Sequence, residues 1–242
     1  MKLFPKQIDQ RTKEAMYFFW TTRLGQIQRQ SDSSVRDQGN RGAVTGGKQL
    51  DGMVTLIRDV IIENGIDENS IFFNTNLELP GFYRPNKKWD LLVVQDDILI
   101  IAIELKSQVG PSFGNNFNNR TEEAIGNAVD IWTAYREGVF GTKQSPWLGY
   151  MMVLEESEKS TEPVNTRSPH FEIMPEFIRS SYKKRYELFC KKLMLERQYN
   201  STCLITTKND KNNLGNYKCP VDDLSVIFFL SSMVAAIKAY NA

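Results

Sequence analysis

Histidine and cysteine are scarce in this chain: 242 residues include one histidine, His170, and three cysteines. A single histidine excludes enzymes whose metal site needs two or more, such as the HExxH zinc hydrolases. Cys190, Cys203 and Cys219 have no metal-type spacing and are odd in number, so we expect a reduced, cytoplasmic protein. No apolar run reaches the length of a membrane span, which predicts that the protein has no membrane partner.

An excess of charge of one sign is also missing, since the formal net charge is +1. The charged residues are distributed unevenly along the chain. Residues 1–50 hold nine Lys/Arg against four acids, and residues 167–197 hold eight against four. Between them, residues 51–79 hold one Arg against six acids. Two basic segments around an acidic one are typical of a DNA-facing cleft with an acidic metal site, although solvated helix faces give the same counts.

The hydrophobic pattern predicts ten elements in the order α, α, β, β, β, α, β, α, β, α. Helices are expected at about 6–30, 48–64, 120–137, 179–198 and 222–240. Strands are expected at 70–79, on both sides of the Asp96-Asp97 turn, at 147–154 and at 202–207. This order predicts an α/β fold in which a mixed β-sheet is flanked by helices on both faces. We expect one domain over residues 1–242.

The most informative stretch is residues 89–108, in which two apolar, β-branched runs flank a short acidic turn. The second run is apolar from Ile98 to Ile103, which predicts a strand that is covered on both faces. It ends in Glu104 and Lys106, which share one face because they are two residues apart. A carboxylate and an ammonium at such a place are costly unless they are paired or used. The alternative without a catalytic role is a hairpin with an acidic turn and a salt-bridged strand end.

The spacing of Asp90 and Glu104 makes a geometric prediction. A regular hairpin closed by a two-residue turn at Asp96-Asp97 pairs Asp90 with Ile103, which puts Asp90 on the face opposite Glu104. A three-residue loop, which pairs Asp90 with Ala102, or a one-residue β-bulge restores a common face. The turn lacks the glycine that favours a two-residue type I′ loop. We therefore predict an odd loop or a bulge between residues 90 and 104.

Asp90, followed after thirteen residues by Glu104-Leu105-Lys106, resembles the PD-(D/E)xK nuclease motif, with Trp89 in the place of proline. The resemblance implies that Asp90 and Glu104 hold Mg²⁺, assisted by the backbone carbonyl of Leu105. It also implies that Lys106 orients or helps to deprotonate the attacking water. Hard oxygen ligands suit Mg²⁺, and the ion stabilises charge on a phosphoryl group. Alone, this spacing is a weak signal.

Longer segments make the resemblance specific. Residues 104–126 read ELKSQVGPSFGNNFNNRTEEAIG, and they are joined by GGK at 46–48, DG at 51–52, LPGFYRP at 79–85, SPHF at 168–171 and PEF at 175–177. Over about residues 15 to 200, the chain resembles the type II restriction endonucleases of the XhoI family. The resemblance implies a restriction-endonuclease-like core and a homodimer. It also implies Mg²⁺-dependent cleavage of both strands of the palindrome CTCGAG with 5′ overhangs, and a methyltransferase of the same system that acts separately.

The residues that read DNA are predicted from side-chain chemistry, because Asn reads adenine and Arg reads guanine. The segment after the motif offers Ser107, Gln108, Asn115, Asn116, Asn118, Asn119 and Arg120, although turns and a helix cap at Asn119 also use such residues. Further candidates are Arg36 and Arg41 in a glycine-rich loop and Lys183 and Lys184 for phosphate contacts. Asp51, in the first turn of the second helix, and His170 are possible site residues.

Two other classes of protein fit the motif. A PD-(D/E)xK repair or junction nuclease has the same three residues without strict sequence specificity. A non-catalytic DNA-binding module has the fold alone, and the intact Asp90, Glu104 and Lys106 argue against it.

Overall fold

The computed structural model describes residues 3–32, 48–141 and 144–242, without the side chains of residues 27–32. Arg36 and Arg41 lie outside the described residues. The helices are α1 (Pro5–Asp32), α2 (Asp51–Glu63), α3 (Phe113–Arg136), α4 (Glu158–Thr161), α5 (Tyr182–Leu195) and α6 (Val226–Tyr240). The strands are β1 (Ile71–Phe72), β2 (Glu78–Pro80), β3 (Asn86–Lys88), β4 (Leu91–Gln95), β5 (Ile98–Gln108), β6 (Trp147–Glu155), β7 (Ser201–Thr207) and β8 (Tyr217–Lys218).

A mixed sheet forms the centre of the fold, in the strand order β1-β4-β5-β6-β7-β8. The three central strands β5, β6 and β7 are parallel, and the outer pairings are antiparallel. The central strands are almost continuously apolar and buried, as is typical of parallel strands covered by helices on both faces. β2 and β3 form a separate two-stranded sheet. No helix in the described part of the chain is long and apolar enough to cross a membrane.

Side chains alternate between the two faces of the sheet and build two hydrophobic clusters. On one face, Ile101 and Ile103 of β5 pack with residues of α1, α2 and α6. On the other face, Ala102 of β5 and Tyr150 of β6 pack with residues of α3 and α5. The predicted α/β fold, a mixed sheet with helices on both faces, is confirmed.

The hairpin between β4 and β5 contains the predicted bulge. Asp96 and Asp97 form a two-residue turn, both with positive φ (52° and 59°), and Gln95 pairs with Ile98. The register then shifts: Val94 pairs with Leu99 and Val93 with Ile101, so that Ile100 is the extra residue. From the bulge onward Leu91 pairs with Ile103, and the same register sets Asp90 opposite Glu104. The two carboxylates therefore share one face.

The start of α3 differs from the sequence prediction. We expected a helix from Arg120 with Asn119 as its cap, but the helix begins at Phe113, with Ser112 at the N-cap position. Asparagine and glycine are poor helix formers, so this segment resembles a loop in sequence. The rings of Phe113 and Phe117, one turn apart, pack against tyrosines of α5 with centroid distances of 5.9 Å and 5.0 Å. This tertiary packing outweighs the low helix propensity.

The predicted strand 70–79 is two short strands, β1 and β2. Between them Asn76 has a φ of 57°, a left-handed conformation that interrupts an extended chain. The short elements β3, α4 and β8 were not predicted, because each lies in a polar segment without a hydrophobic period. The other predicted helices and strands are confirmed to within a few residues.

Candidate active site

The carboxyl half of β5 carries the charged residues of the site. Asp90 lies just before β4, and its Oδ2 accepts a hydrogen bond from the backbone N–H of Leu105 at 2.8 Å. Glu104 is fully buried on the same face, and Lys106 follows it two residues later on β5. Asp90, Leu105 and Lys106 line a cleft of about 530 Å³. Asp90 and Lys106 therefore line one cleft, and the buried Glu104 adjoins it through its contact with Lys106.

Two lysines compensate the buried carboxylate of Glu104. The Nζ of Lys106 lies 2.9 Å from Glu104 Oε1, and the Nζ of Lys87 lies 3.3 Å from the same oxygen. Lys87, the middle residue of β3, also stacks over the ring of Trp89 at 4.2 Å. A buried carboxylate without such partners would favour protonation, so the two ammonium groups keep Glu104 ionised.

The pKa values follow from burial and from these charges. Burial raises the pKa of Asp90, and the hydrogen bond from Leu105 and the charge of Lys106 only partly oppose it. Burial also acts to raise the pKa of Glu104, but the charges of Lys87 and Lys106 outweigh it and lower that pKa. Burial acts to lower the pKa of Lys106, yet the charge of Glu104 raises it above its ordinary value. For Lys87 burial prevails and lowers the pKa. Closely packed groups with perturbed pKa values are typical of catalytic sites.

Several of the predicted DNA-reading residues line the same cleft. They are Ser107, Gln108, Asn115, Asn116 and Arg120. On α3, Asn116 and Arg120 are one helical turn apart and therefore share a face. The guanidinium of Arg120 pairs with Glu123 at 2.6 Å. Gln108 is buried, and its Oε1 accepts a hydrogen bond from the Tyr186 hydroxyl, which ties it to the protein core.

Other predicted residues lie away from the cleft. Asn118 and Asn119 are exposed on α3 and do not line it. Lys183 pairs with Glu156 at 2.6 Å and Lys184 with Glu187 at 2.8 Å, so both lysines of α5 already have carboxylate partners. Their DNA contacts stay predictions.

Asp51 and His170, the two further possible site residues, are both exposed. Asp51 lines a groove between α1 and α2 instead of the cleft. His170 lies in the loop between α4 and α5. The structure therefore does not bring either residue to the predicted catalytic motif.

The cleft also contains polar residues that the sequence analysis missed, Arg23 of α1 and Gln49 before α2. Gln49 is buried, and within the described residues its Oε1 and the Nε of Arg23 have no hydrogen-bond partner. Arg23 lies three residues after Trp20 and four after Phe19, two fully buried residues. A charged residue on the apolar stripe of α1 was the signal that could have identified it.

The donor set of the site suits a hard divalent cation. Asp90 and Glu104 offer carboxylate oxygens on one face, and the carbonyl of Leu105 lies between Glu104 and Lys106 on the chain. Among the described residues no group of three His, Cys, Asp or Glu could hold a metal. Two carboxylates with backbone, water or phosphate oxygens are the ligand set that Mg²⁺ takes in phosphoryl-transfer sites. The residues therefore fit Mg²⁺ and do not fit a zinc site.

Comparison with known proteins agrees with this chemistry. The family model described as "Restriction endonuclease XhoI" matches residues 29–219. The chain belongs to the XhoI restriction endonuclease family. The type II restriction enzyme BstVI of Geobacillus stearothermophilus is 49% identical over 210 residues, 85% of this chain and 94% of that protein. The type II restriction enzyme XhoI of Xanthomonas vasicola is 42% identical over 198 residues, 81% and 79% of the two chains.

The type II restriction enzyme AbrI of Azospirillum brasilense is 48% identical over 164 residues, 67% of this chain and 73% of that protein. No solved structure gives a significant match. Members of the XhoI family are type II restriction endodeoxyribonucleases, and this chain is one of them. The matched segment contains Asp90, Glu104 and Lys106 and extends to residue 219, beyond the limit of about 200 that the sequence motifs suggested.

Proposed function

We propose that this restriction endonuclease hydrolyses both strands of a palindromic duplex site with Mg²⁺, using Asp90, Glu104 and Lys106 as its catalytic residues. One observation supports this most strongly. The bulge at Ile100 gives Asp90 and the buried Glu104 a common face, and Asp90 and Lys106 line a cleft together with asparagine and arginine residues. A regular hairpin would separate the two carboxylates and leave no metal site.

Asp90, Glu104 and the carbonyl of Leu105 would hold the Mg²⁺. When bound, the ion supplies charge stabilisation at the phosphoryl oxygens and favours a water nucleophile near neutral pH. The carboxylate of Glu104 is prepared for this role, because its pKa is held low by Lys87 and Lys106 despite its burial. The burial of Glu104 also strengthens its electrostatic contacts, because they lie in a medium of lower dielectric constant than water.

Lys106 acts as a positively charged donor in this scheme. Its Nζ pairs with Glu104 at 2.9 Å, and the charge of Glu104 raises the pKa of this ammonium group. A protonated amine cannot remove a proton from water, but it can donate hydrogen bonds that orient the water and a phosphate oxygen. Of the two roles implied by the nuclease motif, the contacts favour orientation over deprotonation. Its side chain is 25% exposed and reaches the cleft.

Base reading is assigned to the cleft-lining face of α3, with Asn116 and Arg120 as the main candidates. Asn pairs with adenine and Arg with guanine through two hydrogen bonds each. Both bases occur in CTCGAG, the site that the family resemblance suggests. A palindrome calls for two-fold symmetry, so we propose a homodimer in which each active site cuts one strand and leaves a 5′ overhang. A separate methyltransferase would protect the host DNA.

Digestion of a mixed-sequence genomic DNA tests this proposal. With Mg²⁺ we expect discrete fragments whose sequenced ends all derive from CTCGAG with 5′ overhangs, and no cleavage in EDTA. Fragments ending at another fixed sequence would overturn the site assignment alone. Random nicking would overturn the specific-endonuclease proposal and favour a repair or junction nuclease. Sedimentation of the enzyme on a CTCGAG duplex tests the dimer, and a single protomer per site would contradict it.

A further inference from the structure

Asn127 of α3 makes an unusual contact with the buried carboxylate of Glu104. Its Nδ2 donates to both carboxylate oxygens, at 2.9 Å from Oε1 and 2.8 Å from Oε2. The hydroxyl of Tyr199 reaches Oε2 at a longer distance of 3.3 Å and lies closer to the carbonyl of Ala124, at 3.1 Å. Asn127 is therefore the main neutral partner of Glu104.

The orientation of the Asn127 amide is fixed by a second contact. Its Oδ1 accepts a hydrogen bond from the guanidinium of Arg84 at 2.6 Å. A flipped amide would point Oδ1 at the carboxylate of Glu104 and NH₂ at the cation, so both contacts would become repulsive. Arg84 therefore determines which end of the amide faces Glu104.

Arg84 is held in turn by Asp130, three residues after Asn127 on α3. Its Nε donates to Asp130 Oδ2 at 2.7 Å, while Oδ1 accepts the backbone N–H groups of Phe82 and Tyr83, each at 2.8 Å. A continuous chain of hydrogen bonds thus leads from the 81–84 turn through Asp130, Arg84 and Asn127 to Glu104.

Packing alone does not require these polar groups. Asn127 and Asp130 are buried on the face of α3 where the other buried residues are apolar: Ala124, Ala128, Ile131 and Ala134. Burying an amide and a carboxylate among apolar residues is costly unless each hydrogen bond has a use. Partners that orient a metal ligand are such a use, and their loss typically lowers metal affinity or activity about 10–100-fold.

We propose that Asn127 is a positioning residue that holds the Glu104 carboxylate in one orientation for Mg²⁺, and that Arg84 and Asp130 fix the orientation of Asn127. This inference rests on the proposed function, in which Glu104 is a metal ligand. Asn127 acts through Glu104, and it is buried and does not line the cleft. Its removal leaves a carboxylate that must be reoriented each time a metal binds.

The first test compares Asn127→Ala with the wild type and with Asn200→Ala. The control removes the same amide from a residue that does not contact Glu104 or line the cleft: the Oδ1 of Asn200 accepts the N–H of Leu148 at 2.8 Å, near the start of β6. Mn²⁺ affinity is measured by the electron paramagnetic resonance of the free ion, and the Mg²⁺ dependence of single-turnover cleavage is measured on a CTCGAG duplex. Duplex affinity is measured by fluorescence anisotropy with Ca²⁺ in place of Mg²⁺.

For Asn127→Ala we expect Mn²⁺ affinity to fall about 10–100-fold. The Mg²⁺ concentration that gives half-maximal cleavage should rise by a similar factor. Duplex affinity should stay within about twofold of the wild type, because no base or phosphate contact is lost. Asn200→Ala should lower thermal stability without changing metal affinity. Metal affinity within twofold of the wild type in a folded Asn127→Ala protein, shown by circular dichroism, overturns the proposal.

Arg84→Lys keeps the test decisive if Asn127→Ala does not fold. Lysine can still pair with Asp130 but lacks the fork that reaches both partners. We expect a smaller fall in Mn²⁺ affinity in the same direction, and unchanged metal affinity overturns the proposal. In the Arg84→Lys/Asn127→Ala double variant, the loss of Mn²⁺ affinity should not exceed that of Asn127→Ala alone, because Arg84 acts through Asn127. Additive losses of Mn²⁺ affinity would contradict the proposed chain of hydrogen bonds.

Glu104→Gln separates this inference from the proposed function. If Glu104→Gln cleaves like the wild type, the metal site as proposed is wrong whatever Asn127 does. If Glu104→Gln abolishes cleavage while Asn127→Ala binds Mn²⁺ like the wild type, only the positioning role fails.

Discussion

Substitution of Gly81 by alanine tests whether the 81–84 turn really rests against Asp130. A Cβ at Gly81 would lie 2.5 Å from Asp130 Oδ2 and 2.8 Å from the carbonyl oxygen of Arg84. Ordinary van der Waals contact begins at 3.4 Å, so the nearer pair must separate by about 0.9 Å. Gly81 does not have the left-handed φ that excludes side chains, and the effect is therefore purely steric.

The cost follows from the bonds that Asp130 makes. A shift of this size weakens the hydrogen bonds from Phe82 and Tyr83, and a bond to a charged group contributes roughly 1.5–3 kcal/mol. We count one full loss, about 2–3 kcal/mol, since part of the turn can relax into solvent. Alanine also reduces the entropy of the unfolded chain, which offsets roughly 0.4–1 kcal/mol. The net destabilisation should be about 1–2.6 kcal/mol.

Gly126→Ala is the matched control, because Gly126 lies in the middle of α3 and a Cβ there would have nothing within 4 Å. Alanine in an exposed helix interior stabilises by about 0.5–1 kcal/mol relative to glycine. Equilibrium urea unfolding, followed by far-ultraviolet circular dichroism, should give free-energy changes of opposite sign for the two variants. A Gly81→Ala protein that is as stable as the wild type would refute the packing of the turn on Asp130.

Three further predictions concern packing, pH and DNA. Gly149→Ala would put a methyl group 2.6 Å from an indole ring and 2.7 Å from a phenyl ring, so unfolding free energy should fall by about 1–3 kcal/mol in urea titrations. Burial acts to raise the pKa of Glu156, but the hydrogen bond from Lys183 outweighs it and lowers that pKa. The resulting stability is present above the unfolded pKa of about 4.3 and is lost as pH falls through the folded value, so Glu156→Gln should lose less stability than the wild type on acidification. Asn116→Ala should weaken cognate-duplex binding by about 1–3 kcal/mol and random-duplex binding little, whereas Asn118→Ala, outside the cleft, should lose less; equal losses on both duplexes would exclude base reading by Asn116.

The geometry of the hairpin was predictable because strand side chains alternate with a period of two. Once Asp90 and Glu104 were required to share a face, parity alone demanded an odd loop or a bulge, and the bulge at Ile100 confirms it. The type of turn was not predictable in the same way. Asp96 and Asp97 both adopt positive φ without glycine, as the tightly paired strands on either side require.

The start of α3 and the support of Glu104 were not predictable from local sequence. Phe113 and Phe117 stabilise the first turns of α3 through contacts with α5, which lies more than sixty residues later in the chain. Asn127 and Arg84 lie 23 and 20 residues from Glu104, and no periodic pattern links them to it. Their roles depend on tertiary contacts, so the sequence predicted the charged residues of the motif but not the residues that orient them.

Cleavage by Glu104→Gln is the most direct test of the central claim, that Asp90, just before β4, and Glu104, in β5, form the catalytic metal site. Single-turnover cleavage of a labelled CTCGAG duplex is measured with Mg²⁺ for the wild type and the variant. Duplex binding in Ca²⁺ and urea unfolding serve as controls. We predict that Glu104→Gln folds, binds the duplex and fails to cut it, because a neutral amide is a poor Mg²⁺ ligand. Near-wild-type cleavage by Glu104→Gln would contradict the assignment of this site.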